Sequence, residues 1–136
     1  MSGFFTTFEL SEARRDMAQT LGPMTLRILR QLDGQSETGG PDLAPSALTD
    51  SGGRPLEIPY RIRPLRTPRT KIEGEQTIVV ADWEIKLPWS VTDQIKQGDV
   101  LRAEEQVADF TVHFVDDRPD ATLCRVEVLR KEKARS

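Results

Sequence analysis

The chain of 136 residues contains a single cysteine, Cys124, and a single histidine, His113. One cysteine cannot form a disulfide within the chain, and its place in an alternating apolar stretch predicts a small core residue. His113 falls on the polar side of one strand pattern, whereas Cys124 falls on the apolar side of another. This arrangement disfavours a metal centre and a Cys–His catalytic pair, and we expect no cofactor.

Long apolar runs are also missing from the sequence. Only 37% of the residues are hydrophobic, and no segment approaches the roughly 20 consecutive apolar residues of a membrane helix. The start, MSGFFTTFEL, lacks the basic region and long apolar segment of a signal peptide. A glycine-rich phosphate loop, a nucleophile elbow and a dinucleotide fingerprint are absent as well. The length of the chain predicts one domain, residues 1–136, and these absences predict that it is not an enzyme and has no membrane partner.

Aromatic residues are scarce at 6%, and acidic residues exceed basic ones only slightly, so charge distribution is more informative than net charge. Residues 54–71 carry a net charge of +5, residues 72–120 carry −8, and residues 121–136 return to +3. Tyr60 is the only aromatic residue in the basic segment, and it alternates out of phase with Arg61 and Arg63. We expect this segment to lie near DNA or an acidic neighbour; its basic residues are Arg54, Arg61, Arg63, Arg66, Arg69 and Lys71.

The most regular pattern is the alternation over Glu75 to Leu87, EQTIVVADWEIKL, which predicts a strand with one buried face. Val79, Ala81, Trp83, Ile85 and Leu87 form the predicted apolar face. Asp82, Glu84 and Lys86 form the opposite face, which we expect to be exposed. Because nothing completes a catalytic site around the two carboxylates, this charged face is a candidate subunit contact.

A helix is predicted over residues 9–21, where Leu10, Met17 and Leu21 recur at helical spacing before Gly22 and Pro23 end it. The cap is either the Thr6-x-x-Glu9 box or Ser11. Ahead of the helix, residues 1–8 form an apolar arm in which Phe4, Phe5 and Phe8 are candidate contacts with a partner protein. Residues 24–32 fit either a strand or a helix, and we favour a strand.

The rest of the chain alternates between β patterns and polar connections. Long connections are predicted over residues 33–55 and 64–74, and a basic tail over residues 131–136. Short strands are predicted near residues 56–63, 100–103, 107–115 and 121–130, the last two joined as a hairpin across residues 116–120. The predicted fold is a small antiparallel β-barrel or sandwich of about six strands, spanning residues 24–130, with a short N-terminal helix. Its predicted core includes Trp83, Phe110, Val112, Phe114 and Cys124.

The order of these elements resembles that of the head-closure, or head–tail joining, proteins of tailed bacteriophages. The resemblance covers residues 9–130: a helix closing at LGPMTLRILR, a polar loop, a GEQ turn, IVVADWEIKLPWS, an IKQGD turn and the strand FTVHFV. It implies a structural subunit of the virion neck, assembled in the host cytoplasm. Copies would form a ring between the portal or adaptor protein and the tail protein, with packaged double-stranded DNA in the channel.

On this resemblance, the loop 33–55 or the connection 64–74 would project into the channel or onto a neighbour. Two other classes remain open. One is a stand-alone oligonucleotide-binding β-barrel, which would bind single-stranded DNA with a salt-dependent affinity. The other is a host-directed or regulatory β-domain.

Overall fold

The computed structural model describes residues 7–30, 46–103, 105–106 and 108–132. It is mainly β: antiparallel strands form a curled half-barrel with one helix at the N-terminal end. This confirms the predicted fold class. Phe4 and Phe5 of the apolar arm, residues 33–45 of the long loop and residues 133–136 of the basic tail lie outside the described residues.

The helix and strands follow one another as α1 (Thr7–Ala18), β1 (Thr25–Arg30), β2 (Ser46–Ala47), β3 (Ile58–Pro59), β4 (Arg61–Glu73), β5 (Gln76–Pro88), β6 (Val100–Arg102), β7 (Ala108–Asp116) and β8 (Leu123–Glu132). A short 3-10 turn covers Trp89–Val91 after β5. In the sheet the order is β2-β1-β6-β7-β8-β5-β4, and β3 pairs with β1. The strand preference for residues 24–32 is therefore confirmed, and β7 and β8 form the predicted hairpin.

The core lies on the inner, concave face of the curled sheet. Alternate residues of β1, β5 and β8 are fully buried there because a strand points successive side chains to opposite faces. Phe110, Val112 and Cys124 are buried with them, and Trp83 is partly buried against Phe110 with ring centroids 6.5 Å apart. The residues with at most 1% exposure include Leu26, Ile28, Ile85, Leu87, Leu101, Val112, Val126 and Val128.

Phe114 does not belong to this core, contrary to the sequence prediction, since it is 49% exposed. Val112 pairs with Val128 on the inner face, but Phe114 pairs with Glu127, so His113 is an extra residue in the ladder. A bulge of one residue reverses the alternation beyond it. Phe114 therefore lies on the outer face, and Val115 packs against the core instead.

The second polar connection, residues 64–74, is also not a loop. It belongs to β4, a 13-residue strand that forms a long hairpin with the 13 residues of β5. The chain reverses at Gly74, whose φ of 64° is a conformation that glycine adopts without strain. Prolines are tolerated in β4 because it is the edge strand, and because Pro64 borders and Pro68 lies within an interruption of its ladder.

The far end of this hairpin extends beyond the rest of the sheet. Strand β8 pairs with β5 from Trp83 to Pro88, so among the described residues the strand pairs of residues 70–79 are only with each other. Val79, predicted to be buried, is 45% exposed there, and Ile72 is 78% exposed. We call residues 70–79 the hairpin arm.

The helix spans Thr7–Ala18 rather than residues 9–21, and it packs across one end of the sheet. Arg14 fixes it: the guanidinium stacks over the Trp89 ring at 4.0 Å, and Nε donates to the Ala121 carbonyl at 2.9 Å. Phe8 lies in this helix and is 71% exposed. Among the helices of the described residues, none is long and apolar enough to cross a membrane.

Candidate functional site: an arginine-rich outer face

The outer face of β4, β5 and β8 carries a network of arginines around two carboxylates. Glu84 on β5 lies opposite Arg63 on β4 and opposite Glu127 on β8. Two carboxylates directly across a strand pair repel each other, so this arrangement requires cations close by. Arg125, two residues before Glu127 on β8, is one of these cations. Its Nε donates to Glu84, and its Nη2 donates to Glu127 at 3.0 Å.

Two further arginines from β4 complete the network. Arg63 Nε donates to Glu84 Oε1 at 2.7 Å, and Arg69 donates to both oxygens of Glu127 at 3.0 and 2.9 Å. We call the five residues Arg63, Arg69, Glu84, Arg125 and Glu127 the arginine network. It contains three cations and two anions, and both anions lie beneath the cations.

The carboxylates of the network are buried, contrary to the prediction of an exposed charged face on β5. Glu84 is 1% exposed and Glu127 is 5% exposed. Burial alone raises the pKa of Glu84, but the hydrogen bonds from Arg63 and Arg125 outweigh it and leave that pKa below its ordinary value. The bidentate hydrogen bonds of Arg69 lower the pKa of Glu127 in the same way. Both residues are therefore anionic at neutral pH.

A large bulge in β4 covers one side of this network. Pro64 pairs with Trp83 and Arg69 with Ala81, so residues 65–68 of β4 stand opposite Asp82 alone. The bulge leaves an open cavity of about 490 Å³ between itself and the sheet. The cavity is lined by residues 65–67 of the bulge and by the paired residues next to it; these are Arg63, Pro64, Arg69, Glu84 and Arg125. Bulges of this kind commonly redirect side chains beside functional sites.

The six basic residues predicted to act together, within residues 54–71, lie in different parts of the fold. Arg63, Arg66 and Arg69 meet at the cavity, and Lys71 lies further along β4, in the hairpin arm. Arg61 donates to the carbonyl of Thr20 at 2.5 Å, near the end of α1. Arg54 is exposed on the turn that follows β2. The six residues therefore do not form one surface.

The three residues of the predicted contact face of β5, Asp82, Glu84 and Lys86, also have different surroundings. Asp82 accepts a hydrogen bond from the backbone N–H of Arg130 at 3.0 Å, at the point where β8 and β5 separate. Lys86 lies opposite Arg61 on one side and Arg125 on the other. Only Glu84 joins the arginine network.

Sequence reasoning missed two members of the network, Arg125 and Glu127. Both alternate with the apolar residues of β8, so their outward direction follows from the pattern, but their proximity to Glu84 depends on which strands pair. Tyr60, the aromatic residue of the basic segment, is 5% exposed, and its hydroxyl donates to Glu105. Burial and Glu105 raise the pKa of Tyr60 to about 12, so the hydroxyl stays protonated.

The single cysteine and the single histidine lie on opposite faces of the sheet. Cys124 is buried on the inner face, whereas His113 lines a cavity on the outer face, so the two cannot act together. Burial raises the pKa of the Cys124 thiol to about 11. Within the described ranges, no group of three or more His, Cys, Asp or Glu residues is placed to hold a metal ion.

The fold and this site define a curled antiparallel β-domain with an arginine-rich outer face and a projecting hairpin arm. In comparisons with protein-family models and with curated proteins, no match to the chain is found.

Proposed function

We propose that this protein is a structural subunit that assembles with copies of itself through the hairpin arm, as a ring in the neck of a tailed bacteriophage. The observation that carries the assembly is the arm, since residues 70–79 form a two-stranded ribbon with which no third strand of the described residues pairs. A hairpin of two strands is only marginally stable by itself in water. An interface with another copy would bury and stabilise it.

The side chains of the arm fit a protein interface. Thr70 pairs with Val79 and Ile72 pairs with Thr77, which places four uncharged β-branched residues on one face of the ribbon. Exposed apolar groups that project from a surface are typical of interaction sites. The other face carries the charged residues Lys71 and Glu73, which also form an ion pair at 3.9 Å.

Placement in the neck rests on the resemblance of residues 9–130 to head-closure proteins. In that position the ring would lie between the portal or adaptor protein and the tail protein, help retain the packaged DNA, and act without catalysis. The arginine-rich face would then be available for a polyanion. The apolar N-terminal segment, of which Phe8 is 71% exposed, would contact a neighbouring neck protein.

Sedimentation velocity and negative-stain imaging of the full chain over a concentration series test the assembly. We expect rings at high concentration, and we expect the double variant Ile72→Lys/Val79→Lys to remain monomeric because it places two charges in the interface. Met24→Lys is the matched control, since Met24 is a 54% exposed apolar residue outside the arm. A wild-type chain that stays monomeric throughout, or an arm variant that still forms rings, would contradict the assembly proposal.

Immunogold labelling of phage particles tests the placement. Antibody against this chain should label the junction of head and tail, and labelling of the capsid shell or the tail tip instead would contradict it. The stand-alone oligonucleotide-binding barrel is the alternative. It predicts that the wild-type chain stays monomeric at every concentration, and that this monomer and the arm variant bind single-stranded DNA equally well.

A further inference from the structure

The cavity under the β4 bulge has more positive charge than its own carboxylates neutralise. Four arginines line it, namely Arg63, Arg66, Arg69 and Arg125. The arginine network sets Glu84 and Glu127 against them, so these six residues together carry a charge of +2 on a chain whose net charge is −3.

Arg66 lines the cavity but is not part of the arginine network. It is exposed at the tip of the bulge, and within the described residues it makes no hydrogen bond or ion pair. Arg63 is also 65% exposed and uses only Nε toward Glu84. The cavity therefore holds guanidinium N–H groups that remain available to an anion. Guanidinium groups bind phosphate oxygens with two parallel hydrogen bonds.

An exposed aromatic ring lies next to this cavity. The one-residue bulge at His113 turns Phe114 to the outer face, where it is 49% exposed. Phe114 lines a second open cavity of about 490 Å³ together with Lys71 and His113. Arg69 and Arg125 line both cavities, so the two are directly adjacent. The combination of cations and an aromatic ring, which the sequence did not place on one face, is present in the folded chain.

From this juxtaposition we infer that the outer face binds a single-stranded segment of nucleic acid, with a phosphate in the arginine cavity and a base against Phe114. A flexible single strand can direct one phosphate into a concave site and present the face of an unpaired base to a ring. A duplex keeps its bases stacked inside, so Phe114 would add nothing to its binding. The inference goes beyond the proposed ring function and does not require it, because both cavities lie within one copy.

Fluorescence anisotropy of a labelled single-stranded DNA with the full chain tests the inference. Arg66→Ala should weaken binding and make the slope of log K against log salt shallower by about 0.7, the value for one phosphate contact on a single strand. Phe114→Ala should weaken binding roughly 5- to 150-fold, the range for the loss of one base–aromatic stack of about 1–3 kcal/mol. Both residues are exposed, so both variants should keep the wild-type circular dichroism spectrum and melting temperature.

Two matched variants and two competitors decide the outcome. Arg54→Ala removes another exposed arginine, on the turn that follows β2, and Phe8→Ala removes an exposed aromatic ring from α1; neither substitution should change the affinity. If the controls lost as much affinity for single-stranded DNA as Arg66→Ala and Phe114→Ala, the site would be wrong. Wild-type affinity in Phe114→Ala would also overturn it. A duplex that binds as tightly as the single strand would also overturn the inference. Inorganic phosphate that competes as well as the oligonucleotide, at matched ionic strength, would identify a free phosphate as the ligand and overturn the nucleic-acid assignment.

Discussion

Replacing Glu84 by glutamine removes the charge at the centre of the arginine network while keeping the size of the side chain. Glu84 is 1% exposed and accepts hydrogen bonds from Arg63 and Arg125. An amide in the same place can still accept a hydrogen bond, but its NH₂ group faces donors. The two guanidinium groups lose a charged partner while the carboxylate of Glu127 remains.

The size of the destabilisation depends on how well water can solvate the two arginines after Glu84 loses its charge. Removing one member of a fully buried ion pair costs about 3–5 kcal/mol because the other charge is left buried. Here Arg63 is 65% exposed and Arg125 is 28% exposed and still bound to Glu127. Both can recover solvation, so we expect Glu84→Gln to lower the free energy of unfolding by about 2 kcal/mol, within the range for hydrogen bonds to charged groups.

Urea unfolding followed by tryptophan fluorescence measures this change, because Trp83 precedes Glu84 on β5. With a denaturant slope of about 2 kcal/mol/M, the midpoint should fall by about 1 M. Double-mutant cycles then measure the coupling energy of Glu84 to Arg125 and to Arg63 separately. The coupling of Glu84 to the partly buried Arg125 should exceed its coupling to Arg63, which we expect below about 1 kcal/mol because the Arg63 side chain is largely exposed to solvent. An unchanged midpoint, or a stronger coupling to Arg63 than to Arg125, would refute this account of the network.

Two further predictions concern ionisation. The pKa values of Glu84 and Glu127 are lowered in the folded state, so their stabilising contribution is complete above the ordinary value of 4.5 and is lost as the pH falls through the lower, folded values. The unfolding free energy should fall more steeply below pH 4.5 in the wild type than in Glu84→Gln/Glu127→Gln, and equal slopes would count against the assignment. Because Cys124 is 0% exposed with a pKa of about 11, its reaction with a thiol reagent at pH 8 should follow global unfolding; rapid reaction of the folded protein would contradict its buried position.

The core could be predicted from the sequence wherever alternation continued without interruption. On β5 the pattern correctly identified Ala81, Ile85 and Leu87 as buried, because a period of two places them on one face. Alternation fails where a single residue is inserted into a strand. The bulge at His113 leaves no mark in the composition of the segment, and it moves Phe114 from the expected core to the outer face.

The hairpin and the network were harder to predict for a different reason. Pro64 and Pro68 suggested a loop, since proline interrupts a ladder, but an edge strand with a bulge accommodates both. The burial of Glu84 depends on arginines from two other strands. No local pattern contains that information, because Arg63 and Arg125 are 21 and 41 residues away along the chain.

The prolines of β4 also limit how the sheet can grow. An exposed edge strand offers its free N–H and C=O groups to any other chain, which is how sheets extend into fibres. In β4 residues 65–68 leave the ladder, and neither Pro64 nor Pro68 has an N–H to donate. A second chain therefore finds no continuous template along this edge, and copies cannot add to it one after another over its full length. The bulge that forms the arginine cavity thus also favours finite assemblies over open-ended aggregation.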